Sequence, residues 1–125
     1  MVRQRRTDTQ PEMALRRELH RRGMRYRVHV ACVPGTRRRS VDVAFPAVRV
    51  AVFVDGCFWH GCPEHAAKAP ASNSEFWSEK VATNTARDRD TDARLRAEGW
   101  IVVRIWEHEA VSAAADRVEE AVMSR

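Results

Sequence analysis

The sequence predicts an α/β fold, a mixed β-sheet flanked by helices. Three observations point to it. Thr9 with Glu12, and Ser72 with Glu75, have the spacing of capping boxes, and each opens a helical stretch that a glycine ends, Gly23 and Gly99. Runs rich in β-branched residues at 40–45, 48–54 and 100–106 have the composition of strands. The resulting order, α-β-β-β-α-β-α, describes one sheet with helices on its faces.

Residues 1–8 are polar and basic and read as a flexible arm. Residues 9–125 form a single domain, in keeping with a chain of 125 residues. In the first helix Leu15 and Leu19 fall on one face. Residues 26–30 read as a short strand, Pro34-Gly35 as a turn, and the triplet Arg37, Arg38, Arg39 follows it. Residues 40–45 alternate, with Val41 and Val43 on one face and Asp42 on the other, until Pro46 breaks the strand. The run 48–54 suits a central strand. Residues 55–73 are rich in Gly, Pro, Cys and His, so this loop must be held by something other than a hydrophobic core. A long helix runs from the second capping box to Ala97, and the strand 100–106 follows, with Trp100 and Trp106 as core residues. From Glu109 a last helix turns Val111, Ala115, Val118 and Val122 inward.

No apolar run reaches the length of a membrane span, and no apolar signal core follows the N-terminal arginines, so the expected location is the cytoplasm. The formal net charge is +5, carried mostly by arginine. A basic surface attracts polyanions, and nucleic acid is the common one in a cytosol. A merely solvated charged surface is the plain alternative. The three cysteines, Cys32, Cys57 and Cys62, are an odd set and do not suggest a disulfide framework.

Cys57, Cys62 and His65 share one loop, and His108 follows the last strand. Four such nitrogen and sulfur ligands complete the tetrahedral shell of structural Zn²⁺, and binding would order a loop with little apolar material. His60 competes for the ligand role on spacing alone. Asp42 interrupts an otherwise apolar strand and Asp55 closes the next, so the two carboxylates can converge at one end of the sheet, as Mg²⁺ requires. His60, just past Cys57, is placed to activate water. Glu12 has a ready explanation in its capping box, and Asp88 in a solvated helix face, although Asn84 and Asp88 lie one turn apart and can address one site. Phe58-Trp59 and Phe76-Trp77 are adjacent bulky aromatics in polar surroundings. They pack around the metal loop, stack on bases, or do both.

The run from Phe53 through Asp55, Gly56, Cys57, Phe58, Trp59, His60 and Cys62 to His65 resembles the signature of very-short-patch-repair (Vsr) endonucleases. So do Pro11-Glu12, Asp42 in its strand, Glu75-Phe76-Trp77, Asn84 with Arg87-Asp88-Arg89, Gly99-Trp100, and Ile105-Trp106-Glu107. The resemblance covers residues 7–110 in order.

It implies a restriction-endonuclease-like core and a Mg²⁺-dependent nick in one strand of duplex DNA, 5′ to the thymine of a T:G mismatch left by deamination of 5-methylcytosine. By position, Asp42 resembles the main metal-binding aspartate, Asp55 the residue whose backbone carbonyl contributes to the metal site, and His60 the catalytic histidine. Glu12 and Asp88 match outer residues that hold metal-bound water. Cys57, Cys62, His65 and His108 match zinc ligands, and Phe58, Trp59 and Trp77 match aromatics that intercalate beside the mismatch. Arg37, Arg38 and Arg39 are the expected phosphate contacts.

Three departures from the family pattern stand out. Gly56 replaces a histidine of some members, the arm is short and lacks apolar wedges, and the zinc set is Cys₂His₂. The resemblance also implies a monomer acting near the nucleoid, with a mismatch-repair ATPase as candidate partner. Two other readings compete: a zinc-stabilised DNA-binding module without catalysis, and a related nuclease serving restriction or defence on other duplex DNA.

Overall fold

The computed structural model describes residues 9–56 and 74–125, with the backbone alone for 74–77. Its elements are α1 (Gln10–Arg21), β1 (Arg27–Val30), β2 (Val41–Phe45), β3 (Val50–Asp55), α2 (Ser74–Ala97), β4 (Ile101–Trp106) and α3 (Val111–Met123), in the order anticipated. The sheet runs β1-β2-β3-β4. The first two pairings are antiparallel and β3 with β4 is parallel, so the sheet is mixed. Residues 46–49 link the antiparallel neighbours β2 and β3 tightly and residues 31–40 link β1 to β2, whereas the parallel pair needs the long connection that contains α2.

Each face of the sheet has its own core. On one, Val43, Phe45, Val50, Val52, Val103 and Ile105 meet Leu15 and Leu19 of α1 and Ala114, Ala115 and Val118 of α3. On the other, Ala44, Ala51 and Phe53 meet Leu95 of α2, with Val33 and Val41. Strict alternation would keep Val41 with Val43, as the sequence pattern suggested. Val41 packs with the α2 cluster instead, so the pleat of β2 is interrupted at Asp42.

Other departures are local. Tyr26 precedes β1 rather than opening it; its hydroxyl donates to the Arg16 carbonyl and its ring meets Phe45 edge-on. Val48 packs on the core from a turn rather than from a strand, because Arg49 takes a left-handed φ of 54° before β3 begins. In α3, Val111 is 36% exposed and Ala114 occupies the inward position expected of it. Val122 and Trp100 are partly buried against the two cores, and Trp106 is also half-buried. Ser72, and with it the second capping box, lies outside the described residues.

Gly99 ends α2 at φ 85°, where a side chain would be strained, and the Trp100 N–H returns to the Leu95 carbonyl at 3.0 Å. Leu19 is fully buried where α1 packs on the sheet and on α3. Leu19→Ala should lower the unfolding free energy by about 2–5 kcal/mol. A denaturation midpoint equal to that of the wild type would contradict this packing.

Candidate active site

The interruption at Asp42 is where the strands deliver polar groups. Because β2 runs antiparallel to β3, its second residue meets the end of β3, and the Val54 N–H donates to Asp42 Oδ2 at 2.9 Å. A side-chain oxygen thus receives a backbone donor of the neighbouring strand. On the other side, the pairs Val28–Val43 and Val30–Val41 set His29 beside Asp42. His29 holds a left-handed φ of 52°. Such a backbone costs on the order of 1 kcal/mol in a non-glycine residue and persists where its surroundings dictate it.

Helix α1 brings Glu12 to the same end, only 1% exposed. Its capping box is half made: Thr9 Oγ1 accepts the Glu12 N–H at 3.4 Å. The Glu12 carboxylate turns to Arg16 Nη1 at 3.0 Å and His29 Nε2 at 3.5 Å. Capping therefore does not account for this side chain. It is buried between α1 and the sheet, against Arg16 and His29.

Asp55, 6% exposed, ends β3 beside Val54. Arg104 Nη1 donates to both its oxygens, at 2.9 and 3.2 Å. The same guanidinium forks onto Asp92 at 2.7–3.1 Å, reaches the Asp88 carbonyl at 3.4 Å and its Oδ1 at 3.6 Å, and lies over the Phe53 ring, 4.1 Å from the centroid. Burial works against the arginine's charge. The carboxylates of Asp92, Asp55 and Asp88 outweigh it and raise the pKa above the ordinary value. The Asp55 carbonyl accepts the Glu107 N–H at 2.9 Å.

Burial pushes the Asp42 carboxyl up to about 7; the Val54 N–H opposes the rise, the negative charges of Glu12 and Asp55 add to it, and His29 opposes it. An acid so placed gains most from a cation, so its surroundings fit a hard divalent metal. Among the described residues, no three His, Cys, Asp or Glu side chains converge tightly enough to bind a metal alone. Mg²⁺ is often held by one or two carboxylates, with water and substrate phosphate completing its shell, and Asp42 with a backbone carbonyl suits that pattern.

The structure thus brings together Asp42, Asp55, Glu12 and Asp88. His108 is exposed in the turn after β4. Asn84 is half-buried and accepts from Arg87 at 3.4 Å. Arg37 and Arg38 are exposed, whereas Arg39 reaches Asp90 at 2.5 Å and Thr91 at 3.1 Å. Cys57, Phe58, Trp59, His60, Cys62 and His65, and the side chains of Phe76 and Trp77, lie outside the described residues. Sequence reasoning missed His29, Arg16, Arg104 and Asp92. Arg104 carried a usable signal, since it interrupts the apolar run of β4 as Asp42 interrupts β2. His29 carried none, because its role depends on a strand register.

Comparison with known proteins points the same way. The family described as DNA mismatch endonuclease Vsr matches residues 1–66. The chain is 44% identical over 117 residues to the type II nicking enzyme V.NaeI of Lentzea aerocolonigenes, covering 90% of this chain and 70% of that one. It is 43% identical over 102 residues to the type II nicking enzyme V.XorIIP of Xanthomonas oryzae pv. oryzae, covering 82% and 72%. With the DNA mismatch endonuclease Vsr of Escherichia coli K12 it shares 39% identity over 100 residues, 80% and 62% of the two chains.

Proposed function

Since the chain belongs to the Vsr DNA mismatch endonuclease family and is a DNA endonuclease, we propose that it nicks one strand of duplex DNA 5′ to the thymine of a T:G mismatch, using Mg²⁺ held at Asp42. The observation that supports this most is the half-buried Asp42 carboxylate, aligned by the Val54 N–H and crowded by Glu12 and Asp55. The restriction-endonuclease-like core is part of the same reading, and the mixed four-stranded sheet with helices on both faces suits it.

Asp42 would hold the cation with the Asp55 backbone carbonyl, which keeps a lone pair beyond its bond from Glu107. The chemistry a Mg²⁺ ion held by these groups would supply is polarisation of phosphorus and stabilisation of charge on the attacking and leaving oxygens. His60 takes the proton of the attacking water at a ring nitrogen. Glu12 and Asp88 orient water around the site; Arg16 and His29 fix Glu12 for that task. Phe58, Trp59 and Trp77 wedge into the duplex at the mismatch, where unstacking is easiest. Arg37 and Arg38, which are exposed, hold phosphates and make affinity salt-sensitive; Arg39 joins them only by leaving Asp90.

Zn²⁺ on Cys57, Cys62, His65 and His108 would tie the loop after β3 to the turn after β4. The strands leading into these segments end side by side, Asp55 opposite Trp106. No helix among the described residues is long and apolar enough to cross a membrane, and we place the enzyme in the cytoplasm with the nucleoid DNA. A monomer and a mismatch-repair ATPase as partner belong to the same proposal.

The relatives named type II nicking enzymes favour a second reading, in which the same chemistry serves restriction or defence and the target is not a T:G mismatch. A nicking assay separates the two. On a labelled duplex with one T:G mismatch we expect a single nick that needs Mg²⁺, is lost with EDTA, and is absent on the matched T:A duplex. Equal cutting of both duplexes would remove mismatch specificity and leave the second reading.

A further inference from the structure

Five carboxylates crowd the catalytic end of the sheet: Glu12, Asp42, Asp55, Asp88 and Asp92. They fall into two sets. Asp42 and Glu12 lie with His29 and Arg16, while Asp55, Asp88 and Asp92 surround Arg104. The arginine is the cation that makes this division. Its side chain is 22% exposed, and its Nε, Nη1 and Nη2 all donate to protein groups. Its plane is braced by the Phe53 ring.

The three groups it grips come from different elements. Asp55 is the last residue of β3, directly after the Val54 whose N–H aligns Asp42. Asp88 and Asp92 lie one turn apart on α2. The same stretch of α2 also holds to the fold through Arg39 on Asp90 and Thr91, Arg94 on the Pro34 carbonyl, and buried Thr91 and Leu95, but among the described contacts Arg104 is the one that ties it to the end of β3.

We infer that Arg104 is a positioning residue of the nuclease site, fixing the end of β3 to the middle of α2 and holding Asp55 and Asp92 away from the metal at Asp42. This inference rests on the reading of Asp42 as the metal-binding carboxylate. Two consequences oppose each other. Removing the cation removes a repulsion on Mg²⁺ and frees carboxylates that attract it, so the metal should bind more tightly. The same change unfastens Asp55 and Asp88, so the site loses its working geometry and turns over more slowly. General damage to the fold would weaken both properties together. Tighter metal binding with slower nicking is the signature of this arrangement.

The test compares Arg104→Gln, Arg104→Lys and Asp42→Asn with the wild-type protein. It measures single-turnover nicking, KM for the DNA duplex, and Mg²⁺ binding by calorimetry without DNA. For Arg104→Gln we expect kcat to fall about 10–100-fold, KM to stay within about twofold because the arginine is committed to carboxylates rather than phosphates, and Mg²⁺ to bind several-fold more tightly. Arg104→Lys keeps the charge without the fork, so Mg²⁺ affinity should stay near that of the wild type while kcat still falls.

Unchanged kcat in both variants, a raised KM with unchanged kcat, or weaker Mg²⁺ binding in folded Arg104→Gln would each overturn the inference. If Arg104→Gln does not fold, Arg104→Lys decides alone, and a wild-type kcat there overturns it. Asp42→Asn separates this outcome from failure of the metal site. If Asp42→Asn still binds Mg²⁺ and nicks, the reading of Asp42 falls. If it loses both while the Arg104 variants match the wild type, only the inference about Arg104 falls.

Discussion

Asp42→Asn should bind DNA, fail to nick it, and, without metal at pH 8, melt at a higher temperature than the wild-type protein. The two effects share a cause. The Asp42 carboxyl, ordinarily at 3.8, is pushed up to about 7 in the fold by burial, with Glu12 and Asp55 adding repulsion. The folded protein therefore holds this proton more tightly than the unfolded chain does. As pH rises above 3.8, the unfolded chain releases the proton first, and folding loses stability until the folded group also ionises near 7.

Above both values the loss is at most about 4 kcal/mol. Asparagine keeps an oxygen for the Val54 N–H and never ionises, so it escapes the loss. The gain in melting temperature should be absent below pH 4, grow between pH 4 and 7, and level off above. Mg²⁺ should stabilise the wild type increasingly over the same range and leave the variant unaffected. Nicking should fall by about 10²–10³-fold or more, as when a principal electrostatic stabiliser is removed. A variant that nicks at the wild-type rate, or a stability difference independent of pH, would remove Asp42 from the site. A metal-binding role for Asp42 would make this a familiar exchange of stability for function.

Loss of zinc is the second large effect expected. The protein should carry one zinc per chain, and stripping it with a tight chelator should lower the melting temperature sharply and abolish nicking. Zn²⁺, but not Mg²⁺, should restore both. The size follows from two magnitudes: structural zinc contributes on the order of 10 kcal/mol in small zinc domains, and a whole domain is stable by only about 5–15 kcal/mol. The loop 55–73 offers little apolar material to replace that contribution. The parallel register ends β3 and β4 side by side, at Asp55 and Trp106. Cys57→Ser should reproduce the effect of chelation. Zinc-free protein with unchanged melting and nicking would discard the site.

The chemistry of the catalytic end was legible one residue at a time. Asp42 announced itself as a carboxylate inside an apolar strand, and Asp55 as one at a strand end. Glu12 did not, because the capping box at Thr9 offered a sufficient local explanation; only the packing of α1 on the sheet turns its carboxylate toward His29 and Arg16. Arg104 was passed over although it breaks an apolar strand as plainly as Asp42 does. Its partners Asp55, Asp88 and Asp92 lie 49, 16 and 12 residues away in the chain, a distance no local pattern reports.

What the sequence determined by itself was the order of the elements. Helix caps, glycine stops and β-branched runs act within a few residues, and neighbouring residues suffice to set them. Together with the apolar spacing of the last helix, those signals anticipated the seven described elements, with ends shifted by a residue or two. The tertiary structure decided what depends on register: the interruption of β2 at Asp42, the left-handed His29 beside it, and the sharing of Arg104 among three carboxylates. It also decided that Val111 stays outside while Ala114 goes in, because the small residue is the one that lets α3 approach α1 and the sheet. Register and close approach arise only when distant segments compete for the same space, so they enter with packing.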